Sequence, residues 1–213
     1  MNMKFLGLAA MAVVAVTGCR KDPVNNLTAD EQRIYITHPA NGVSFNNYKT
    51  FSVADNVVVV EDNSSQQQRT AADAALIDAL RAGLQSRRFT PVDKSASPDL
   101  GIQISRIVRT STGVMTIGQP WGFYDPTFWG PGFGWGGGWG GWGGPGFWGT
   151  QVYEVREGML NIDVIDLKNA SANNNTVRVI WNGLVRGPGV NSAGAAPDIV
   201  QQLLNNSPYM QTN

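Results

Sequence analysis

Two carboxylates sit close together in the run Leu160-Asn-Ile-Asp-Val-Ile-Asp166. Paired acids can share proton-transfer work on one substrate, but only if both reach it. On a strand, a three-residue spacing sends Asp163 and Asp166 to opposite faces. They are therefore read as solvent-facing and turn-leading acids. His38 is the only histidine and Cys19 the only cysteine. A zinc site at His38 would need carboxylates for all its other ligands. The serines lack a Gly-x-Ser-x-Gly elbow, and a lone histidine at a domain edge is a poor general base. The glycines after Gly134 are spaced by tryptophan and lack the lysine and the strand-loop-helix setting of a phosphate loop. The sequence thus predicts no catalytic residue, no metal and no cofactor.

Cys19 has a different chemistry in prospect. Lys4 gives a short positive start, and Phe5 to Val16 is uncharged and mostly apolar. That run is about a dozen residues, where a membrane span needs roughly 20. A basic start, a short apolar run and small residues at its end describe a signal peptide. Thr17-Gly18-Cys19 resembles the bacterial lipobox, in which a peptidase cuts before a cysteine whose sulfur carries diacylglycerol. Residues 1–18 are then a signal peptide and Cys19 is the lipidation site. The implied partner is a membrane, held through two or more acyl chains, the number at which such anchoring becomes stable. No Asp follows Cys19 directly, and Arg20-Lys21-Asp22 resembles a surface-export signal. Both features point to the outer membrane, on its periplasmic face or the cell surface.

The third candidate is a segment of aromatics in glycine. Residues 118–149 hold Trp121, Trp129, Trp135, Trp139, Trp142 and Trp148, with Phe123, Tyr124, Phe128, Phe133 and Phe147, and Asp125 as the only charge. Tryptophan favours membrane interfaces, and its ring can stack on a sugar or pack against a partner protein. These six tryptophans are the candidate ligand or membrane contacts. The alternative is a low-complexity insertion between two strands. The backbone entropy of so long a segment exceeds what burial of its aromatics returns, so it is not expected to become rigid alone.

Composition bounds the rest. About 195 residues remain after residue 18, enough for one domain with a real core. Sixteen basic residues balance sixteen acidic ones, which gives no positive field for nucleic acid.

The elements that must position these residues follow from periodicity. Residues 19–41 are polar with scattered prolines and read as a tether, placing His38 in or near it; the domain proper is 42–213. Val43 to Val53 is strand-like, Val57 to Val60 continues it or forms an edge piece, and Asp62 to Gln68 reads as a loop. Thr70 to Phe89 is the clearest helix, with Ile77, Leu80 and Leu84 at helical spacing beside Leu76. Thr70 and Asp73 stand at capping-box spacing, with Asp in place of the usual Glu. Leu100, Ile102 and Ile104 alternate with Gly101, Gln103 and Ser105, so one face is expected to be buried. Strands are expected over Val152 to Leu167 and Thr176 to Val185, joined by a loop over Lys168 to Asn175. Pro197 and Asp198 open a short helix with Ile199, Val200, Leu203 and Leu204 on its apolar face. A strand-helix-strand unit favours parallel pairing of its strands. The pattern predicts an α+β domain: a mixed sheet of four to five strands, two helices on one face, and the Gly/Trp-rich loop, about residues 113–150, between strands.

Several of these pieces together resemble the bacterial lipoprotein family called domain of unknown function 4136. They are Asn47-Tyr-Lys-Thr-Phe51, the helix from Ala71 to Leu84, Pro98-Asp-Leu100, the Gly/Trp loop, Tyr153 through Gly158-Met-Leu-Asn-Ile-Asp-Val-Ile-Asp166, and Val179-Ile-Trp-Asn-Gly183. The resemblance spans roughly residues 40 to 206. It implies a lipoprotein signal and an α+β domain, and it brings no catalytic residue. The function expected is that of a membrane-anchored envelope lipoprotein, a non-enzymatic binding or structural module with an envelope protein or glycan as partner. The alternative is an enzyme acting on glycan or cell wall, which would need two convergent carboxylates.

Overall fold

A computed structural model of the chain describes residues 27–61, 64–109, 115–117, 151–153, 158–171 and 176–213. Cys19 and the segment 118–149, with Trp121, Trp129, Trp135, Trp139, Trp142 and Trp148, lie outside these. The chain divides into two units, Met1–Gln32 and Arg33–Asn213. In the first, Thr28 and Glu31 close a turn, the Thr28 backbone N–H donating to Glu31 Oε2 at 2.7 Å.

The second unit is an α+β domain. Its strands in chain order are β1 Ile34–Pro39, β2 Thr50–Val53, β3 Val57–Glu61, β4 Ser64–Gln68, β5 Thr90–Pro91, β6 Leu100–Arg109, β7 Met115–Ile117, β8 Gln151–Tyr153, β9 Met159–Ser171 and β10 Thr176–Arg186; its helices are α1 Ala71–Ser86 and α2 Ala196–Asn205. Among the described residues eight strands form one sheet, in which β1-β10-β9-β6-β2-β5 run side by side while β3 pairs with β6 and β4 with β3. β7 and β8 pair separately. β2 and β6, the strands either side of α1, are parallel, Phe51 facing Leu100 and Val53 facing Ile102. β6, β9 and β10 are antiparallel neighbours.

The sheet is larger than its apolar pattern predicts. Residues 34–39, expected in the tether, form edge strand β1, with His38 opposite Asn182. Of the expected strand 43–53 only Thr50–Val53 pairs as a strand, because Phe45–Asn47 makes a turn of 3-10 helix. β3 lies along the second half of β6, Val58 opposite Ser105. β4, expected as loop, has its backbone paired along β3, Val57 facing Gln68. β9 continues to Ser171 through residues expected in the hairpin loop.

Both helices pack on one face. Leu76, Ile77, Leu80 and Leu84 of α1 and Ile199, Val200, Leu203 and Leu204 of α2 share a buried cluster with Ile102, Ile104, Leu160, Ile162, Val164, Trp181 and Val185. The α1 N-terminus is tied by the expected capping box: Asp73 N–H donates to Thr70 Oγ1 at 3.2 Å, and Thr70 N–H to Asp73 Oδ2 at 2.7 Å. Arg106 of β6 meets the same Asp73 as an ion pair, with Asp73 1% exposed. α1 crosses α2 closely at Gly83, where a Cβ would lie 2.7 Å from Leu204 Cδ1 and 2.8 Å from Val200 Cγ1. In β10 the Trp181 ring lies over Gly183, where a Cβ would come within 2.3 Å of Cη2. Its indole N–H donates to Ser207 Oγ at 2.9 Å.

Candidate functional site

The opposite face of β6, β9 and β10 carries Gln103 and Ser105, Asn161 and Asp163, and Asn182. In register, Gln103 faces Asp163, Asp163 faces Asn182, and Asn182 faces His38. A second buried cluster, Val58, Val60, Ile107, Met159 and Leu184, lies on this face without any residue of α1 or α2. Asp163 is 6% exposed, which corrects its expected place on the solvent side. Asn161 Nδ2 donates to Asp163 Oδ2 at 2.8 Å, and Asn182 Nδ2 to Asp163 Oδ1 at 2.6 Å. Burial still dominates and pushes the Asp163 carboxyl up to about 6, against the lowering effect of those two amides. Burial lowers the pKa of His38.

Asp166 is also buried, at 4% exposure, on the helix side of β9. It receives the Tyr48 hydroxyl at Oδ2, 2.8 Å away, and the Asn169 backbone N–H at Oδ1, 3.0 Å away. Asn169 Nδ2 adds bonds to both oxygens, at 3.1 and 2.8 Å. Desolvation first, and then the bond to Asp166, push the Tyr48 phenol up to about 12. It therefore stays protonated as the donor. Asp163 and Asp166 thus face opposite ways, as their spacing predicts, and both are enclosed.

Around the Tyr48–Asp166 pair opens a cavity of about 390 Å³, lined by Gly42, Val43, Ser44, Asn47, Tyr48, Asp166, Asn169, Ala170 and Arg178. The lining comes from the turn before β2, the far end of β9 and the start of β10. Gly42 has φ of 75°, which lets the chain leave β1 and turn over the cavity mouth. Lys168 Nζ donates to the Asn47 carbonyl at 2.6 Å and holds the turn to β9. Arg178 is the Cα partner of Asp166. Its Nη2 donates to the Asn41 carbonyl at 2.9 Å. Among the described residues no group of three or more His, Cys, Asp and Glu side chains converges on a point that could hold a metal.

Sequence reasoning did not assign Tyr48, Asn169 or Arg178 to any site. Tyr48 and Asp166 are 118 positions apart, and no local pattern links them. Of the residues singled out from the sequence, Asp166 lines this cavity.

The profile of the family described as Domain of unknown function (DUF4136) matches residues 37–209. The chain belongs to the DUF4136 family. The match takes in all of the cavity lining. A solved DUF4136 protein from Bacteroides thetaiotaomicron is similar to this chain over 85% of it and 99% of the other, at 22% identity and a TM-score of 0.61, a likeness of fold. PelC, solved as a dodecamer, from Paraburkholderia phytofirmans aligns over 85% of this chain and 99% of its own, at 10% identity and a TM-score of 0.41. A PDZ domain protein from Parabacteroides distasonis aligns over 84% of this chain and 36% of its own, at 15% identity and a TM-score of 0.38. No curated protein matches. The DUF4136 resemblance seen in the sequence is thus a membership, and it brings the fold without an activity.

Proposed function

We propose that this DUF4136 protein is an envelope lipoprotein, anchored to the outer membrane through acyl chains on Cys19, that binds a partner and performs no covalent chemistry. The observation that carries the binding reading is how the cavity's reactive groups are used. The Tyr48 hydroxyl and both Asp166 oxygens are committed to hydrogen bonds within the fold. Groups held this way brace the fold, where a general acid or base needs its proton or lone pair within reach of a substrate. The anchor reading rests on the short apolar run, Thr17-Gly18-Cys19 and the absence of a second thiol to compete for Cys19. The six tryptophans of 118–149 give the module a second contact surface, suited to an envelope protein, a glycan or a membrane interface.

Two measurements on the full chain in cells test this. Labelled fatty acid should enter the wild type and not Cys19→Ser, which should accumulate as uncut precursor; equal labelling removes the anchor. Photo-crosslinking from the lipidated protein, with and without residues 118–149, should capture discrete envelope products from the intact chain. Turnover of envelope glycan by the purified protein, abolished by Asp166→Asn, would replace the binding module with an enzyme.

A further inference from the structure

The cavity beside Tyr48 sorts its polar groups into two sets. The floor is spent: Tyr48, Asp166 and the Asn169 Nδ2 satisfy one another. The rim is not. The Ser44 side chain makes no cap hydrogen bond. The Asn47 side-chain amide makes no hydrogen bond among the described residues, and its backbone carbonyl is what Lys168 holds. Asn169 Oδ1 accepts none there either. Arg178 is half-buried, and a guanidinium carries five N–H donors in a planar fork. One is used on the Asn41 carbonyl, and no ion pair joins Arg178 to Asp166 among the described residues. A cationic fork with donors to spare therefore shares the cavity with a hydroxyl and two amides at the rim, above an Asp166 carboxylate turned to Tyr48 and Asn169 on the floor.

We propose that this cavity binds one acidic sugar ring: Arg178 takes its carboxylate in a two-point contact, and Ser44, Asn47 and Asn169 bond its hydroxyls. The inference rests on the binding-module reading and names the ligand class for it. Planar two-point pairing with a carboxylate is what a guanidinium does better than an ammonium. Sugar hydroxyls both donate and accept, which matches a rim of one hydroxyl and two amides. The apolar lining is the small Val43 and Ala170 beside the Tyr48 ring, a surface that suits the face of a sugar ring and leaves little room for a bulky apolar side chain. The volume of about 390 Å³ falls at the lower end of the range for small-molecule sites.

The test uses the full lipidated chain in detergent micelles, titrated calorimetrically with galacturonate, galactose and D-alanyl-D-alanine. Galacturonate should bind saturably, and galactose at least roughly tenfold more weakly, since it lacks the group Arg178 reads. Arg178→Lys should lose about tenfold in affinity. Ser44→Asp, at an exposed rim position that leaves the fold alone, should lose at least as much by setting a carboxylate against the ligand's own. Equal binding of galactose and galacturonate, tighter binding of the dipeptide, or unchanged affinity in both variants overturns the proposal. If galacturonate fails to bind while crosslinks to envelope partners persist, the acidic-sugar site falls and the binding module stands. If the crosslinks are lost as well, both fall.

Discussion

Asn182 and Asp163 face each other across β10 and β9, and the Asn182 amide donates to Asp163 Oδ1 at 2.6 Å. An amide is a neutral donor, so it solvates the carboxyl without cancelling its charge. That leaves a buried acid that holds its proton up to about pH 6, against an ordinary 3.8.

Between those two values the folded chain keeps a proton that the unfolded chain has lost. The contribution of Asp163 to stability is then complete below about pH 4 and lost as pH rises through 6, by up to about 3 kcal/mol. Asp163→Asn removes the titrating charge, while its amide turns one of the two acceptors into a donor. Its urea midpoint relative to that of the wild type should therefore rise from pH 4 to pH 8. His38, whose pKa burial lowers, acts in the opposite sense and is common to both proteins, so the difference between them isolates Asp163. A difference independent of pH would show that Asp163 does not titrate in this range.

Tyr48→Phe removes one donor from Asp166 and leaves the carboxylate to Asn169. The expected cost is about 1–3 kcal/mol, read as a lower urea midpoint at pH 7. In the wild type one tyrosine should resist ionisation until about pH 12, visible as a delayed step in the ultraviolet titration that the variant lacks. A variant as stable as the wild type would mean water replaces the hydroxyl at no loss.

Leu80 is 5% exposed at the α1 face that meets the sheet and α2. Leu80→Ala should cost about 2–5 kcal/mol, according to how far the neighbours close the gap. An unchanged urea midpoint would place this face of α1 outside the core.

Replacing residues 118–149 by a short Gly/Ser turn should leave cooperative unfolding intact and remove the envelope contacts proposed for the full chain. The replacement retains one tryptophan of the seven, Trp181. That ring is 3% exposed, so emission from the variant should be blue-shifted and should move to the red in one step with urea. Loss of folding on replacement would make the segment part of the core.

Much of the fold was legible because its signals are local. The α1 stripe of Leu76, Ile77, Leu80 and Leu84 and the Thr70–Asp73 box each lie within a turn or two of chain. Likewise Leu160, Ile162 and Val164 alternate within one strand. β1 and β4 were missed for different reasons: β4 joins the sheet through backbone pairing, whereas β1 packs Tyr35 and Ile36 on the two buried clusters from within a polar stretch. Ser-Ser-Gln-Gln-Gln in β4 has no apolar face to betray it, and the prolines and polar residues around β1 masked its own. The burial of Asp163 was hidden by its alternation with apolar neighbours, which reads as a wet face. A signal was present in residue type, since Gln103, Asn161 and Asn182 are amides where solvent-facing strands favour charged side chains. The cavity was not legible as a site. Its two conspicuous members, Tyr48 and Asp166, each lie inside a segment that resembles the family, yet only the fold brings them together.

The end of the domain is fastened as firmly as its middle. Thr212 N–H donates to the Arg87 carbonyl at 3.1 Å, Arg87 Nη2 returns to the Leu204 carbonyl at 2.7 Å, and Met210 is 1% exposed. At the other end, β1 waits for β10, which lies about 150 positions later. Long separations of this kind slow folding, because distant partners must meet before their contacts reward the closure. A chain growing from its N-terminus therefore cannot close this sheet until β10, which runs to Arg186, is available to β1. Until then the first strand of the domain has its partner still to come, so the earliest residues of the sheet are among the last to be placed.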